Sequence, residues 1–237
     1  MVLAIDIGNT RAKAAVYDGN TLFRHAIMPA FGLAEWLQAI VEEYPEITDI
    51  VTSSVADTLP DAPVPVHVVD YKWKFPFINK YATPQTLGAD RMVLAAGAVL
   101  NYPGMNRLVI DAGTCITYDF IDAAGNYLGG AISPGIALRY KSLHDYTARL
   151  PLLKATVPQS HIGNSTSESI HSGVVNGVAF EIDSFINRYR ENLPNFIIIL
   201  TGGDTEFLAE RLKNRIFAHS NFLLESLNQT FQYQNQT

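Results

Sequence analysis

The sequence predicts an α/β protein made of two halves that open with the same pattern. In each half an apolar strand ends on an aspartate, and a glycine-containing turn and two further strands follow, at residues 2–25 and again at residues 108–132. Helical patterns, in which apolar residues recur every three or four positions, occur at 33–44 and 167–191. A succession that occurs twice in one chain indicates duplication of one structural unit.

Composition narrows the class of protein. The chain has 237 residues, of which 48% are hydrophobic and 17% charged, as expected of a globular protein with one large or two ordinary domains. The formal net charge of −6 gives none of the basic footprint that binding to a nucleic-acid backbone requires. We therefore expect no nucleic-acid partner.

Targeting signals and cysteine usage indicate the compartment. The opening MVLAIDIG lacks the basic region of a signal peptide, and no run reaches 18 apolar residues, so we expect no membrane segment. The single cysteine, Cys115, excludes an internal disulfide framework, and the six histidines show no zinc-binding spacing. These observations favour a cytoplasmic protein.

The first half reads as a β meander followed by a helix and shorter strands. The expected elements are strands at 2–7, 12–16 and 21–25, a helix at 33–44, strands at 47–53 and 64–70, an irregular loop at 71–87, and a helix at 89–100. The turn residues 101–104 then end this helix. We place the domain boundary there, giving domains of residues 1–104 and 105–237.

The second half repeats the strand pattern and adds a long helix. The expected elements are strands ending at Asp111, at 115–121 and at 127–132, a helix at 167–191, a buried strand at 196–200, a last helix through Leu212, and a loose polar tail at 228–237. Gly173 and Gly177 lie one turn apart in the long helix, where each costs about 1 kcal/mol relative to alanine. Such glycines indicate close approach by a neighbour, either an internal element or a second subunit.

The Asp-Gly-Thr turns have a chemical interpretation. A glycine turn exposes backbone N–H groups to which a phosphate can bind, while the preceding Asp6 or Asp111 can hold a cation that bridges to the phosphate oxygens. For either turn alone, an ordinary hairpin is the preferred interpretation. Together with the Gly-Gly turn at 202–203, they predict a nucleotide cleft with two phosphate loops.

These motifs resemble those of one family, the type III pantothenate kinases. DxGNTxxK at 6–13 and DxGT at 111–114 resemble its phosphate motifs, and TGGD at 201–204 resembles its adenosine motif. Motifs more particular to the family are GADR at 88–91, GGAISPG at 129–135, TARLP at 147–151 and IGNST at 162–166. The resemblance implies the actin-like ATPase fold: two duplicated ribonuclease-H-like domains with a nucleotide cleft between them.

The resemblance also implies site residues. The implied ATP contacts are Asp6, Ile7, Gly8, Asn9, Thr10, Arg11, Ala12, Lys13, Thr114, Gly202 and Gly203. The implied substrate contacts are Tyr81, Gly88, Ala89, Asp90, Arg91 and Thr166. Asp90 is the implied catalytic base, Asp111 the implied ligand of K⁺ or NH₄⁺, and Asp6 an implied ligand of Mg²⁺ through water. In the family the threonine comes from the partner subunit, which implies a homodimer.

Several of these residues have a structural alternative. Asp90 could cap its helix beside a surface Arg91, Tyr81 could anchor its loop, and Thr166 could belong to a helix N-terminus. Cys115 is expected to be a small buried residue, because no base is placed to activate it. The histidines receive no role.

The function that follows from the resemblance is ATP-dependent phosphorylation of pantothenate to 4′-phosphopantothenate, the first step of coenzyme A biosynthesis. One alternative is a kinase of the same superfamily with another small-molecule acceptor, and GADR at 88–91 with the Tyr81 loop speaks against it. The other is a non-catalytic nucleotide-binding accessory or regulatory protein. Asp6, Asp90 and Asp111 are all intact, which favours the enzyme.

Overall fold

The computed structural model describes residues 1–8, 11–54, 61–193 and 196–236. It divides into two compact units. The first unit comprises Met1–Gly104, Ala123–Leu128 and Asn221–Thr237, and the second comprises Met105–Asp122 and Gly129–Ser220. The proposed domains 1–104 and 105–237 differ from this division mainly in where the C-terminal residues fall.

The elements follow one another along the chain as mixed strands and helices. Before residue 104 they are β1 (Val2–Ile7), β2 (Arg11–Asp18), β3 (Thr21–Pro29), α1 (Leu33–Glu43), β4 (Asp49–Thr52), β5 (Val66–Val68), β6 (Ile78–Asn79) and α2 (Ala89–Asn101). The remainder are β7 (Asn106–Ala112), β8 (Cys115–Ile121), β9 (Asn126–Pro134), α3 (Ile136–Asp145), α4 (Thr166–His171), α5 (Gly177–Asn192), β10 (Phe196–Thr201), α6 (Thr205–Ala209), β11 (Phe217–Ala218) and α7 (Phe222–Asn235).

The first unit is built on a five-stranded sheet in the order β3-β2-β1-β4-β5. Strand β1 runs antiparallel to β2 and parallel to β4. Leu3 and Ile5 pack with α1 on one face of the sheet, whereas Ala4 packs with residues of α2 and α7 on the other. Because successive side chains point to opposite faces, a continuous apolar run such as β1 suits a sheet that is covered on both sides.

The sheet of the second unit repeats this topology. Its strands lie in the order β11-β10-β7-β8-β9, and β7 runs antiparallel to β8 and parallel to β10. Read from the other edge, this order corresponds strand for strand to that of the first sheet. The first residues of β9, Asn126 and Tyr127, group with the first unit, where they pair with β6. The predicted duplication is therefore confirmed.

The long helix predicted at 167–191 forms with an interruption. Helices α4 and α5 are joined by a π-helical turn, Ser172–Asn176. One apolar stripe runs along α4, the π-helical turn and α5 and packs against β7, β8 and β10. It consists of Ile170, Val174, Val178, Ile182 and Ile186. The spacing of four residues predicted this buried face, but it gave no sign of the π turn, a feature often found at functional sites.

Several elements differ from the expectations, including the short strands β6, in the stretch predicted as an irregular loop, and β11, which was not predicted. Helix α3 was not predicted, and α6 ends at Ala209 rather than at Leu212. The tail is not loose, because α7 continues to Asn235 and buries Leu227 and Phe231. Residues Leu224, Leu227 and Phe231 have helical spacing, so the signal was present but masked by the polar residues around it.

Candidate active site

The carboxylate of Asp6 stands at the end of β1, at the first predicted phosphate turn. Burial raises the pKa of Asp6 above its ordinary value, the positive charge of Lys13 lowers it, and the negative charge of Asp90 raises it again. Lys13 is the cross-strand partner of Asp6 on β2. The fold of the first unit thus brings three predicted site residues into one electrostatic cluster.

Hydrogen bonds donated by backbone N–H groups fix the ends of β1 and β2 at this turn. The N–H of Gly8 donates to the carbonyl of Arg11 (2.9 Å), and the N–H of Ile7 donates to Oγ of Ser54 (2.7 Å). Arg11 is exposed, whereas Ala12 is fully buried in the core. The side chain of Ala12 therefore lies in the core of the first unit, and an ATP contact of Ala12 would have to be made by its backbone. The predicted contacts Asn9 and Thr10 lie outside the described residues.

Asp90 lies in the first turn of α2, after Ala89. Gly88 occupies the N-cap position, so Asp90 is not the capping residue. Oδ1 of Asp90 accepts the N–H of Arg91 (2.8 Å), and a Cβ atom at Gly88 would lie only 2.4 Å from that oxygen. The missing side chain at Gly88 therefore leaves the space in which the carboxylate sits.

Tyr81 and Arg91 meet beside Asp90. The guanidinium carbon of buried Arg91 lies 5.8 Å from the centre of the Tyr81 ring, within the range of a cation–π interaction. The Tyr81 ring also lies 6.2 Å from that of Tyr127, and its backbone N–H donates to Oδ1 of Asn79 (2.9 Å). The aromatic residue is thus a loop anchor and a neighbour of the GADR helix at once.

The second unit places Asp111 against the Gly-Gly turn. Thr201 pairs with Asp111 across β10 and β7, and the N–H of Asp204 donates to the carbonyl of Ala112 (3.0 Å). Gly202 has a φ of +98°, and a Cβ atom there would lie 2.4 Å from Oδ1 of Asp111. Only glycine suits this position, because both its backbone conformation and its surroundings exclude a side chain. Two motifs that are 90 residues apart therefore form one loop cluster.

The second predicted phosphate turn projects Thr114 at its tip. The N–H of Gly113 donates to the carbonyl of Cys115 (2.9 Å), and both Thr114 and Cys115 are exposed. The expectation that Cys115 is buried is wrong. Side chains alternate along β8, and it is the next residue, Ile116, that points into the core. Gly203, the last of the predicted ATP contacts, is exposed.

Thr166 lines a large cavity in the second unit. The cavity has a volume of about 980 Å³, and its wall includes Leu143, Leu150, Ile170 and the π-turn residue Gly173. Ser165 is the N-cap residue of α4, and its side chain accepts the N–H of Glu168 (3.2 Å). This cap leaves Thr166 exposed at the first helical position.

Sequence reasoning missed one charged residue of the cavity wall. Arg139 on α3 lines the cavity and pairs with Glu181 on α5, with Nη2 and Oε2 2.6 Å apart. Ser133, within the GGAISPG motif, donates to the same carboxylate. The residues are far apart in the chain, and α3 was not predicted, so no local pattern linked them.

Residues 1–8, 11–54, 61–193 and 196–236 contain no cluster of three or more His, Cys, Asp or Glu side chains that could hold a metal ion. Across the same residues no helix is both long and apolar enough to cross a bilayer. A metal held by Asp6, or one held by Asp111, would therefore need phosphate oxygens or water as further ligands.

Related structures place the fold in a known class. A Baf family protein of Campylobacter jejuni, described as a conserved putative transcriptional activator, aligns with a TM-score of 0.62 at 21% identity, covering 99% of this chain and 100% of its own. A Listeria monocytogenes protein described as a putative N-acetylmannosamine kinase aligns with a TM-score of 0.58 at 13% identity, covering 99% of both chains. At such identities the likeness shows the fold alone, which is that of the two-domain actin-like ATPases and sugar kinases.

Sequence relatives then define the family. The family model for type III pantothenate kinase matches residues 2–188. A type III pantothenate kinase of Flavobacterium johnsoniae is 59% identical over 239 residues, which cover 98% of both chains. The chain belongs to the type III pantothenate kinase family, a family of phosphotransferases.

Proposed function

We propose that this kinase transfers the γ-phosphoryl group of ATP to the primary hydroxyl of pantothenate, with Asp90 as the general base. The product is 4′-phosphopantothenate, at the entry to coenzyme A biosynthesis. Phosphoryl transfer depends mainly on positioning and on neutralising the charge of the phosphates. Asp90 would accept the hydroxyl proton while the other site residues hold the two reactants.

The observation that carries the proposal is the cluster of Asp6, Lys13 and Asp90 in the first unit. The charge of Asp90 contributes to the raised pKa of Asp6, and Lys13 opposes it. Two neighbouring carboxylates are unfavourable unless a cation or a substrate proton compensates them. A site that binds MgATP and a substrate hydroxyl group would provide both the compensating cation and the proton.

The residues present fit the divalent metal that a kinase of this family uses with ATP. Asp6 is one carboxylate at a phosphate turn, and Mg²⁺ usually takes one or two carboxylates together with substrate phosphates and water. When bound, the metal would neutralise phosphate charge. The ammonium group of Lys13, the cross-strand partner of Asp6, would orient the phosphates.

Asp111 is proposed as the ligand of a monovalent cation, K⁺ or NH₄⁺. Its carboxylate lies against Gly202, whose missing side chain leaves Oδ1 and the carbonyl of Ala112 next to the turn. Oxygen atoms grouped in this way are suitable ligands for a hard cation. The Gly-Gly turn and Thr114 would contact ATP from the same unit.

A homodimer is part of the proposal. A Cβ atom at Gly173 or Gly177 would meet nothing within 4 Å, so no neighbour in the described chain accounts for these helical glycines. Phe180, on the same helix, and Ile162 are exposed apolar side chains, and His161, next to Ile162, contacts Phe180 and Ser172. Both observations support a second subunit on this face, with Thr166 contributed to the partner's substrate site. The cytoplasmic location predicted from the sequence remains part of the proposal.

The test is ADP release by the purified protein with ATP, Mg²⁺ and pantothenate, with either K⁺ or Na⁺ as the only monovalent cation. We expect pantothenate-dependent turnover with K⁺ and little with Na⁺. The Asp90→Asn variant should bind ATP normally and lose most turnover. Turnover of this variant at the wild-type rate would remove Asp90 as the base, and no pantothenate-dependent turnover of the wild type would favour another acceptor or a non-catalytic role.

A further inference from the structure

Glu181 on α5 gathers three hydrogen-bond donors from other elements of the second unit. Tyr118 donates from β8 (2.9 Å), Ser133 donates from the end of β9, and Nη2 of Arg139 donates from α3 (2.6 Å). The side chains of Arg139 and Glu181 are 22% and 24% exposed. An ion pair with this degree of burial and this many bonds has a fixed geometry, unlike an ordinary surface pair.

The carboxylate of Glu181 keeps its charge in this environment. Burial alone would raise its pKa, but the hydrogen bonds from Arg139, Ser133 and Tyr118 outweigh burial and lower the pKa below its ordinary value. Nε of Arg139 also donates to the carbonyl of Pro134 (2.8 Å). The guanidinium group is therefore held on two sides, by the carboxylate and by the backbone of the GGAISPG strand.

Arg139 retains donors for a ligand. A guanidinium group has five N–H donors, and the contacts recorded among the described residues use Nε and Nη2 but not Nη1. Arg139 lines the same cavity as Thr166. Among the described residues of the cavity wall it is the sole charged side chain, and Leu143, Leu150 and Val174 make much of the wall apolar.

We propose that Arg139 recognises the carboxylate of the substrate and that Glu181 is a positioning residue that holds Arg139 in place. This inference rests on the proposed function, in which Thr166 of the same wall contacts the pantothenate bound in the partner's substrate site. Pantothenate carries a carboxylate at one end and the reacting hydroxyl at the other. An oriented guanidinium in an apolar wall binds a carboxylate through charge-assisted hydrogen bonds, which are stronger than neutral ones.

The test compares pantothenate with pantothenyl alcohol, in which a hydroxyl group replaces the carboxylate. KM for pantothenate and the inhibition constant of the alcohol are measured for the wild type and for Arg139→Gln, with saturating MgATP. We expect Arg139→Gln to raise KM for pantothenate about tenfold or more, and to leave KM for ATP and the affinity for the alcohol unchanged within about twofold. Arg139→Lys keeps the charge without the fork and should show an intermediate KM.

Glu181→Gln separates positioning from general structure. Its amide oxygen can still accept from Tyr118 and Ser133, but its NH₂ group cannot pair with Arg139. We expect a severalfold rise in KM for pantothenate with unchanged kcat, and a reduced preference for pantothenate over the alcohol. The matched control is Lys141→Gln, which removes one positive charge from an exposed position of α3, the helix that carries Arg139. The preference of Lys141→Gln for pantothenate over the alcohol should equal that of the wild type.

The outcomes are distinct. Equal weakening of pantothenate and alcohol by Arg139→Gln would overturn the inference, because it would show that Arg139 only shapes the wall. An unchanged KM for pantothenate in a folded Arg139→Gln protein would overturn it whatever the alcohol does. Either result leaves the proposed function standing if the wild type phosphorylates pantothenate, whereas a wild type that neither binds nor turns over pantothenate would overturn both.

Discussion

The carboxylate of Asp90 occupies the space that a side chain at Gly88 would need, since a Cβ atom there would lie 2.4 Å from Oδ1. Glycine at this N-cap is therefore explained by the neighbouring acid and not by a left-handed backbone, because φ of Gly88 is −56°. The position of Asp90 thus depends on the residue two places before it.

Gly88→Ala should lower kcat by about tenfold or more, because the new methyl group forces the Asp90 carboxylate to rotate away from its position. Stability should change little, since the clashing atom is the end of a movable side chain. The measurement is kcat together with the thermal midpoint. Gly32→Ala is the matched control, because Gly32 is also an N-cap glycine but has nothing within 4 Å of an added Cβ atom. Unchanged kcat in a folded Gly88→Ala protein would contradict this account.

Asp6→Asn should stabilise the protein at neutral pH while it abolishes activity. Because the pKa of Asp6 is raised in the folded chain, its protonated form favours folding and its ionisation opposes folding. The excess stability of Asp6→Asn should be complete above the raised pKa and should vanish as the pH falls below the ordinary value of 3.8.

Thermal melts of the ligand-free Asp6→Asn and wild-type proteins measure this difference in stability. The melts are recorded from about pH 3.5, near the ordinary carboxyl pKa, to about pH 8. Each kcal/mol corresponds to about 2–4 °C in Tm for a chain of this size. Asp18→Asn, at the exposed end of β2 in the same unit, should show no such change. A difference in Tm between Asp6→Asn and the wild type that does not change with pH would show that the ionisation of Asp6 does not cause the difference in stability.

Gly202→Ala should destabilise the second unit by about 1–3 kcal/mol, because its φ of +98° and its contacts with Asp111 and Ala112 both exclude a side chain. Urea unfolding measures the loss. Gly203→Ala is the control for stability, since nothing lies within 4 Å of its added Cβ atom. If both variants unfold at the same urea concentration, the close approach of Gly202 to Asp111 does not contribute to stability.

Phe180→Asp should convert the proposed dimer to monomers and reduce turnover at least tenfold, because a charge buried in an apolar interface is costly. Size-exclusion chromatography with light scattering gives the mass. Phe23→Asp is closely matched, with 50% exposure against 51% for Phe180, and lies on β3 of the other unit. We expect it to leave the mass unchanged. A wild type that is monomeric yet active would refute the dimer.

The sequence by itself determined the repeated topology and the places of the motifs. Apolar runs that end on Asp6 and Asp111 are sufficient to predict strands covered on both faces, because strand side chains alternate and both faces need apolar residues. The turn residues then locate the loops. The same information placed Asp90 at a helix start, since its signal is local.

Only the tertiary structure decided what depends on residues far apart in the chain. Helix α7 looked polar, yet Asn228 is buried because its Nδ2 donates to the carbonyl of Gly19 (2.8 Å), a partner more than 200 residues away. Likewise, Arg139 and Glu181 pair only because α3 and α5 meet beside the cavity. Hydrogen bonds and ion pairs between distant elements cancel the cost of burying polar groups, and no periodicity in the sequence reports those partners.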